Sequence, residues 1–178
     1  MKDRKPETRH ARREILRHWR ETAPNDRLAH LVRDAGRSCV RALQIRLSRE
    51  SLSFGLWSFL RILWDNDGIT QRDLSARAGV MEPTAFAALK SLENRGYVVR
   101  KQAPDNRKNV YIHLTAAGRG LRQRLEPLAE EVNEIAIRGV PHRDADATRR
   151  TLLAVIENLA QDEMLLDEKR SALEIRND

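Results

Sequence analysis

The chain has little of what most chemistry-bearing or secreted proteins carry. One cysteine, Cys39, among 178 residues leaves no internal disulfide to form, and that suits a reducing cytoplasm. Aromatic residues make up 4%, and no apolar run approaches the ~18 residues a bilayer span needs. The opening MKDRKPETRHARRE has charges but no following apolar stretch, so no secretory leader is expected. Only 8 glycines are present, none grouped into a phosphate-cradling loop. No Ser/His/Asp, Cys/His or paired-carboxylate set stands in a plausible loop, and the five histidines show no metal-ligand spacing. An enzyme, a metal and a cofactor are therefore not expected.

What the chain does have is basic charge, unevenly spread. Residues 1–50 carry 14 basic against 7 acidic side chains, residues 51–115 carry 9 against 6, and residues 116–178 carry 10 against 13. A basic N-terminal two thirds points to an anionic partner, and the mildly acidic remainder to protein contacts. Arginine outnumbers lysine 27 to 6, which suits bidentate phosphate and guanine contacts but also follows from codon bias.

Periodicity supplies the elements. Ala11, Ile15, Leu16 and Trp19 stand at helical spacing in residues 7–20, a segment marginal as an isolated helix. Asp26 is a candidate N-cap for a long helix to Leu47, with Leu28, Leu31, Val32, Ala35, Cys39, Ala42 and Leu43 on one stripe. In that stripe Cys39 reads as a small hydrophobe. FGLWSFLRILW is apolar nearly all round, the mark of a buried helix. Thr70 opens another, with Asp73 as its capping-box acid and Leu74 and Ala78 inward. After a turn at Gly79 and Val80, Pro83 begins a helix through Phe86, Leu89 and Leu92 that Gly96 stops.

The period then changes to two. YVVRK and VYIHL, joined by the turn-rich APDNRKN, form a hairpin with Val110, Ile112 and Leu114 facing the body. From Thr115 helix returns. Leu121, Leu125, Leu128, Val132 and Ile135 make a coiled-coil-like seam with a kink at Pro127. A last helix from about Asp144 buries Leu152, Val155, Ile156 and Leu159, and the charged tail after Leu166 is expected to fray. The fold class is mainly α with a small β-hairpin wing. The winged helix-turn-helix occupies 51–115, helices at 26–50 and 116–168 lie outside it, 1–25 is an N-terminal helical extension, and 169–178 is the charged tail.

The order helix, helix, helix with a three-residue turn, helix, hairpin is the layout of a winged helix-turn-helix, in which the second helix of the pair enters a major groove while the first crosses the phosphates. Trp57 and Leu60, TQRDLS at 70–75, EPTAFAALKSLENRGYV at 82–98 and DNRKNVYIHLTAAG at 105–118 resemble the MarR (multiple antibiotic resistance regulator) family of transcription factors. The resemblance covers about residues 27–165 and is strongest in the wing, at Asp105 and Arg107. It implies a homodimer built on the first and last two helices, which would form its helical dimerisation domain, with Leu121, Leu125, Leu128, Val132, Leu152 and Ile156 in the interface. It also implies a pocket for small, often aromatic, anionic ligands. His30, Asp34, Ser38, Phe54 and Trp57 lie where the resemblance puts that ligand.

The residues support DNA-binding roles on their own chemistry. Arg107 suits a narrow minor groove, and Asp105 suits holding Arg107 or the loop. Arg100, Lys101 and Lys108 suit phosphates. On the recognition helix Pro83, Thr84 and Ala87 suit thymine methyls, with Lys90 the nearby cation and Glu82 favouring the helix N-terminus. Many relatives carry a basic residue where this chain has Ala87, and a polar one at Phe86, so Gln71, Arg72 and Arg77 are expected to carry more of the affinity. The resulting expectation is a homodimeric repressor released from a pseudo-palindromic DNA operator by an aromatic or anionic effector, an aromatic acid or its coenzyme A thioester among them. The alternative is a winged-helix dimer for architecture or protein contacts, without an effector.

Overall fold

The computed structural model describes Arg17, residues 28–103 and residues 106–175. The helix expected at 7–20, the Asp26 cap and the wing residue Asp105 lie outside the described residues. The chain divides into two compact units, Met1–Asn133 and Glu134–Asp178.

The first unit opens with α1 (Leu28–Leu47), whose buried residues are Leu43 and Leu47. The expected stripe therefore packs only at its C-terminal end. Leu28 is 52% exposed, Val32 and Cys39 are also exposed, and Cys39 is not a core hydrophobe. A short 3-10 turn, Ser48–Glu50, ends at Ser51 in the left-handed region. Gln44 secures this corner: its side-chain oxygen accepts from the Phe54 amide at 2.7 Å, and its amide donates to Ser48 Oγ at 3.1 Å.

Ser53 caps α2 (Phe54–Asp65), accepting from the Leu56 amide. This helix is buried on most sides through Leu56, Trp57, Phe59, Leu60, Ile62 and Leu63, as its apolar composition requires. Strand β1 (Ile69–Thr70) follows, too short to leave a period in the sequence. Thr70 then caps α3 (Gln71–Ala78), taking the Asp73 amide at 3.1 Å and donating to the Asp73 carboxylate at 2.7 Å. Gly79, at φ 64°, ends α3 in a conformation that side chains with a Cβ disfavour. Ser75 Oγ donates to the Val80 carbonyl at 2.7 Å and so ties the turn. Pro83 sits in the first turn of α4 (Glu82–Asn94), which buries Ala85, Leu89 and Leu92.

The wing is β2 (Val98–Ala103) and β3 (Asn106–Leu114), antiparallel, with β1 added on the other edge of β3 in the order β1-β3-β2. Val98 pairs with Leu114 and Arg100 with Ile112, and the register shifts at Gln102/Ala103. Strand β3 begins at Asn106, which pairs with Ala103, so Arg107 belongs to β3 instead of a free turn. Backbone pairing continues past the bulge despite turn-prone side chains. Ile112 and Leu114 are buried inward, as alternation demands.

The helix expected from Thr115 is two pieces, α5 (Ala116–Gly120) and α6 (Arg122–Ala136). Thr115 caps α5 through the Gly118 amide. Gly118 is dictated by space, since a Cβ there would lie 2.0 Å from the Tyr97 carbonyl oxygen. Trp64 Nε1 donates to the Gly118 carbonyl at 3.0 Å. Leu121, Leu125 and Val132 are buried in the same core as Leu60, Leu74 and Leu89, with Leu128 packed against it. The seam is real, but it faces the chain's own core. Leu121, Leu125 and Val132, expected at an interface between subunits, are thus buried within one chain, whereas Leu128 is half-buried and Ile135 is 43% exposed. Arg46 on α1 grips Glu131 on α6 through two bonds of 2.8 Å.

The second unit contains α7 (His142–Ile175). Ala145 is its buried hydrophobic residue, while Leu153, Ile156, Leu159, Met164, Leu165 and Leu166 are 50% to 63% exposed. Leu152 and Val155 are half-buried, so the burial expected of Ile156 and Leu159 is not found within one chain. The tail expected to fray is helical through Ile175, consistent with its Glu, Lys, Ala and Leu content.

Candidate DNA-binding surface and ligand site

The helix-turn-helix presents α4 by anchoring one side of it. Ala85, Leu89 and Leu92 are each fully buried, which fixes rotation about the helix axis and turns Pro83, Thr84, Ala87 and Lys90 to solvent. Those four are the residues expected to read bases, and they form one accessible stripe. On α3, Arg72 and Arg77 are exposed and Gln71 is half-buried at the helix start. Glu82 is in the first turn of α4, where a carboxylate favours the helix dipole.

The wing cations are not equivalent. Lys101 is exposed, paired across the ladder with Tyr111, and Arg107 and Lys108 lie in β3. Arg100 is already engaged. Its Nε donates to Glu93 Oε2 at 3.1 Å, and its guanidinium carbon lies 4.8 Å from the centre of the Phe86 ring. A shallow depression of about 340 Å³ beside it is lined by Arg100, Gln102 and Val110. Neither Phe86 nor Glu93 is among the DNA-contacting residues expected from the sequence. The available signal was their separation of seven residues, two helical turns, which puts both on one flank.

The residues expected at the ligand site fall into two groups. On α1, Asp34 is paired with Arg37 and, at 3.2 Å, with Arg33. The Arg37 hydrogen bond holds its carboxyl below the usual aspartate range. Ser38 Oγ donates to the Asp34 carbonyl at 2.8 Å, and His30 is exposed on the same helix. On α2, Phe54 and Trp57 are in contact at 5.6 Å between ring centres, with the Arg61 guanidinium 5.7 Å from the Trp57 ring. Trp57 is buried and its Nε1 donor has no hydrogen-bond acceptor. Among the described residues no hydrogen bond or ring contact joins Asp34 or Ser38 to this aromatic pair. Arg61 is a member that sequence reading missed; it lies four residues after Trp57, one helical turn on.

Among the described residues no group of three His, Cys, Asp or Glu side chains is placed to hold a metal ion, and no helix is long and apolar enough to cross a membrane.

A model of the MarR family matches residues 52–110, the winged helix just described. The chain is 28% identical over 136 residues to the HTH-type transcriptional regulator TtmR of Methylorubrum extorquens, a match covering 76% of this chain and 65% of that protein's length. It is 30% identical over 115 residues to the HTH-type transcriptional regulator FarR of Neisseria gonorrhoeae, covering 64% of this chain and 77% of the relative. Among solved structures, a putative MarR family regulator from Listeria monocytogenes complexed with 26mer DNA superposes with TM-score 0.71 at 24% identity, over 80% of this chain and 95% of that one. CouR from Rhodococcus jostii, bound to p-coumaroyl-CoA, gives 0.65 at 24% identity, over 73% and 91%. The fold, the position of the family match and the identity to FarR agree: the chain belongs to the MarR family, whose relatives are transcriptional regulators and not enzymes.

Proposed function

We infer that the protein is a homodimeric, ligand-responsive DNA-binding regulator, a repressor released from a pseudo-palindromic operator by a small aromatic or anionic effector. The observation that carries the DNA-binding part is the presentation of α4, with one side locked by Ala85, Leu89 and Leu92 and the stripe Pro83, Thr84, Ala87 and Lys90 open. Such a helix enters a major groove about 12 Å wide. Gln71 and Arg72 at the start of α3, and Lys101, Arg107 and Lys108 of the wing, then meet flanking phosphates and the adjacent minor groove, while Arg100 stays engaged with Glu93 and Phe86.

Dimerisation is supported by α7, which exposes more large apolar side chains than a monomer keeps in water. Leu152 and Ile156 belong to that surface. With two recognition helices related by a twofold axis, half-sites fall about 34 Å apart.

The effector reading is supported by Trp57, a buried donor without an acceptor, beside the Phe54 ring and the Arg61 cation. A planar, acceptor-bearing anion satisfies all three, and CouR is a structural relative holding an aromatic CoA thioester. Release of DNA follows if the effector prefers a dimer with its recognition helices wrongly spaced, because a ligand shifts an equilibrium only by its differential affinity.

The test is binding of wild-type protein to duplexes selected from a random-sequence pool. Nanomolar, sequence-specific binding reduced by p-coumaroyl-CoA or a free aromatic acid supports the whole reading. Steep salt dependence without site preference rejects it in favour of an architectural role.

A further inference from the structure

Phe86 is a large aromatic residue left partly in water. The residue is 46% exposed, while Ala85 beside it is fully buried. Residues 83, 86, 87 and 90 follow the spacing of one helix stripe, and all four are exposed on α4. Phe86 thus stands within the surface that carries Pro83, Ala87 and Lys90.

The ring is also supported on one side. The Arg100 guanidinium caps it at 4.8 Å, and Glu93 fixes that guanidinium at 3.1 Å. The Arg100 side chain is only 20% exposed, so it is a poor candidate for swinging out to a phosphate. A cation of strand β2 and a carboxylate of α4 together support one side of an aromatic residue whose remaining surface is open.

A supported apolar surface on a helix that enters a major groove selects for an apolar feature. Base edges in that groove offer hydrogen-bond donors, acceptors and one apolar projection, the C5-methyl of thymine. A phosphate is disfavoured, because the face of an aromatic ring is itself negative. We propose that Phe86 is a specificity-determining residue that reads a thymine C5-methyl in each half-site, with Arg100 and Glu93 as positioning residues. This rests on the DNA-binding reading of α4, and the experiment separates the two.

The probe is the highest-affinity duplex that the wild-type protein selects from a random-sequence pool. Each thymine in the protected half-sites is replaced singly by deoxyuridine, which removes only the methyl group. At one thymine per half-site the wild-type affinity falls about four-fold, corresponding to the ~0.8 kcal/mol of one buried carbon. Phe86→Ala binds the thymine and uracil duplexes equally, while its melting temperature stays near wild type because the ring is half in solvent. Arg100→Gln reduces the thymine-to-uracil ratio, which a purely structural role for Arg100 would not alter.

A ratio unchanged in Phe86→Ala overturns the proposal, and so does a selected duplex with no methyl-sensitive position. If no sequence is selected at all, the regulator reading fails with it. Specific binding that ignores the methyl overturns the Phe86 assignment alone.

Discussion

The two units treat apolar side chains in opposite ways. In the first, Leu47, Leu60, Leu63, Leu74, Leu89, Leu92 and Leu125 are each under 2% exposed, and α1, α2, α3, α4, the sheet and α6 contribute to one core. In the second, α7 leaves Leu153, Ile156 and Leu159 between 58% and 63% exposed over a helix of 34 residues. The first unit finds its burial within one chain. The second displays an apolar surface that one chain does not bury, and a second copy of the chain is the occupant inferred above. The same residue type therefore reports folding in one region and assembly in the other.

The sharpest way to break that contrast is to place a charge in each region. Leu125→Asp inserts a carboxylate at a fully buried position with no partner, and the expected loss exceeds about 4 kcal/mol of stability. Urea unfolding followed by circular dichroism measures it. A well-folded Leu125→Asp protein that merely becomes monomeric would return that residue to a subunit interface.

The matching change in the second unit, Ile156→Asp with Leu159→Asp, leaves the winged helix folded. It weakens self-association at least about 100-fold, since each apolar side chain contributes roughly 1.5–3 kcal/mol on burial. Light scattering over a dilution series reads this directly. A dimer as tight as wild type would move the interface away from α7.

Arg107→Ala carries the contrast into function. It should weaken specific DNA binding about ten-fold, as expected of a single contact worth 1–3 kcal/mol, with self-association unchanged. Lys101→Ala instead lowers the salt slope of binding by about 0.9 without changing sequence preference. Unaltered affinity in Arg107→Ala would remove the wing from the DNA surface.

Local features of this fold are legible in the chain; features that depend on what lies opposite are not. The Thr70 cap with Asp73, Pro83 at the start of α4, and the stops at Gly79 and Gly96 are decided by neighbours a few residues away, and all four occur as expected. The seam Leu121, Leu125, Leu128, Val132 tells a different story. A 3.5-residue period says that one face is buried, but the same period serves a core and a dimer alike. The α1 stripe errs the other way, since Leu28 and Val32 have the right spacing and no covering surface within the described residues of this chain. In the wing, the turn-prone stretch concealed that β3 begins at Asn106, which pairs with Ala103 beyond an irregularity at Gln102/Ala103. Of the candidate site, the open stripe on α4 was readable from its period. The Phe86, Arg100 and Glu93 group was not, because it requires β2 to lie along one flank of α4.

The smallest expected effect tests the ion pair of Arg46 and Glu131, which joins α1 to α6. Arg46 bonds both carboxylate oxygens of Glu131, and this contact holds the Glu131 carboxyl below the usual glutamate range. A group whose acidity is increased by folding contributes stability above its unfolded value and loses that contribution as pH falls through the folded one. Wild type should therefore melt slightly above Glu131→Gln at neutral pH, and the gap should close as the pH is lowered through the acid range. Glu131 is itself largely exposed, at 53%, so solvent screening keeps the difference small and added salt should reduce it further. If the gap were instead constant with pH, the pair would act through shape alone. The attachment of α1 to the first unit would then rest on Leu43 and Leu47, the two residues that already separate the packed end of that helix from its exposed beginning.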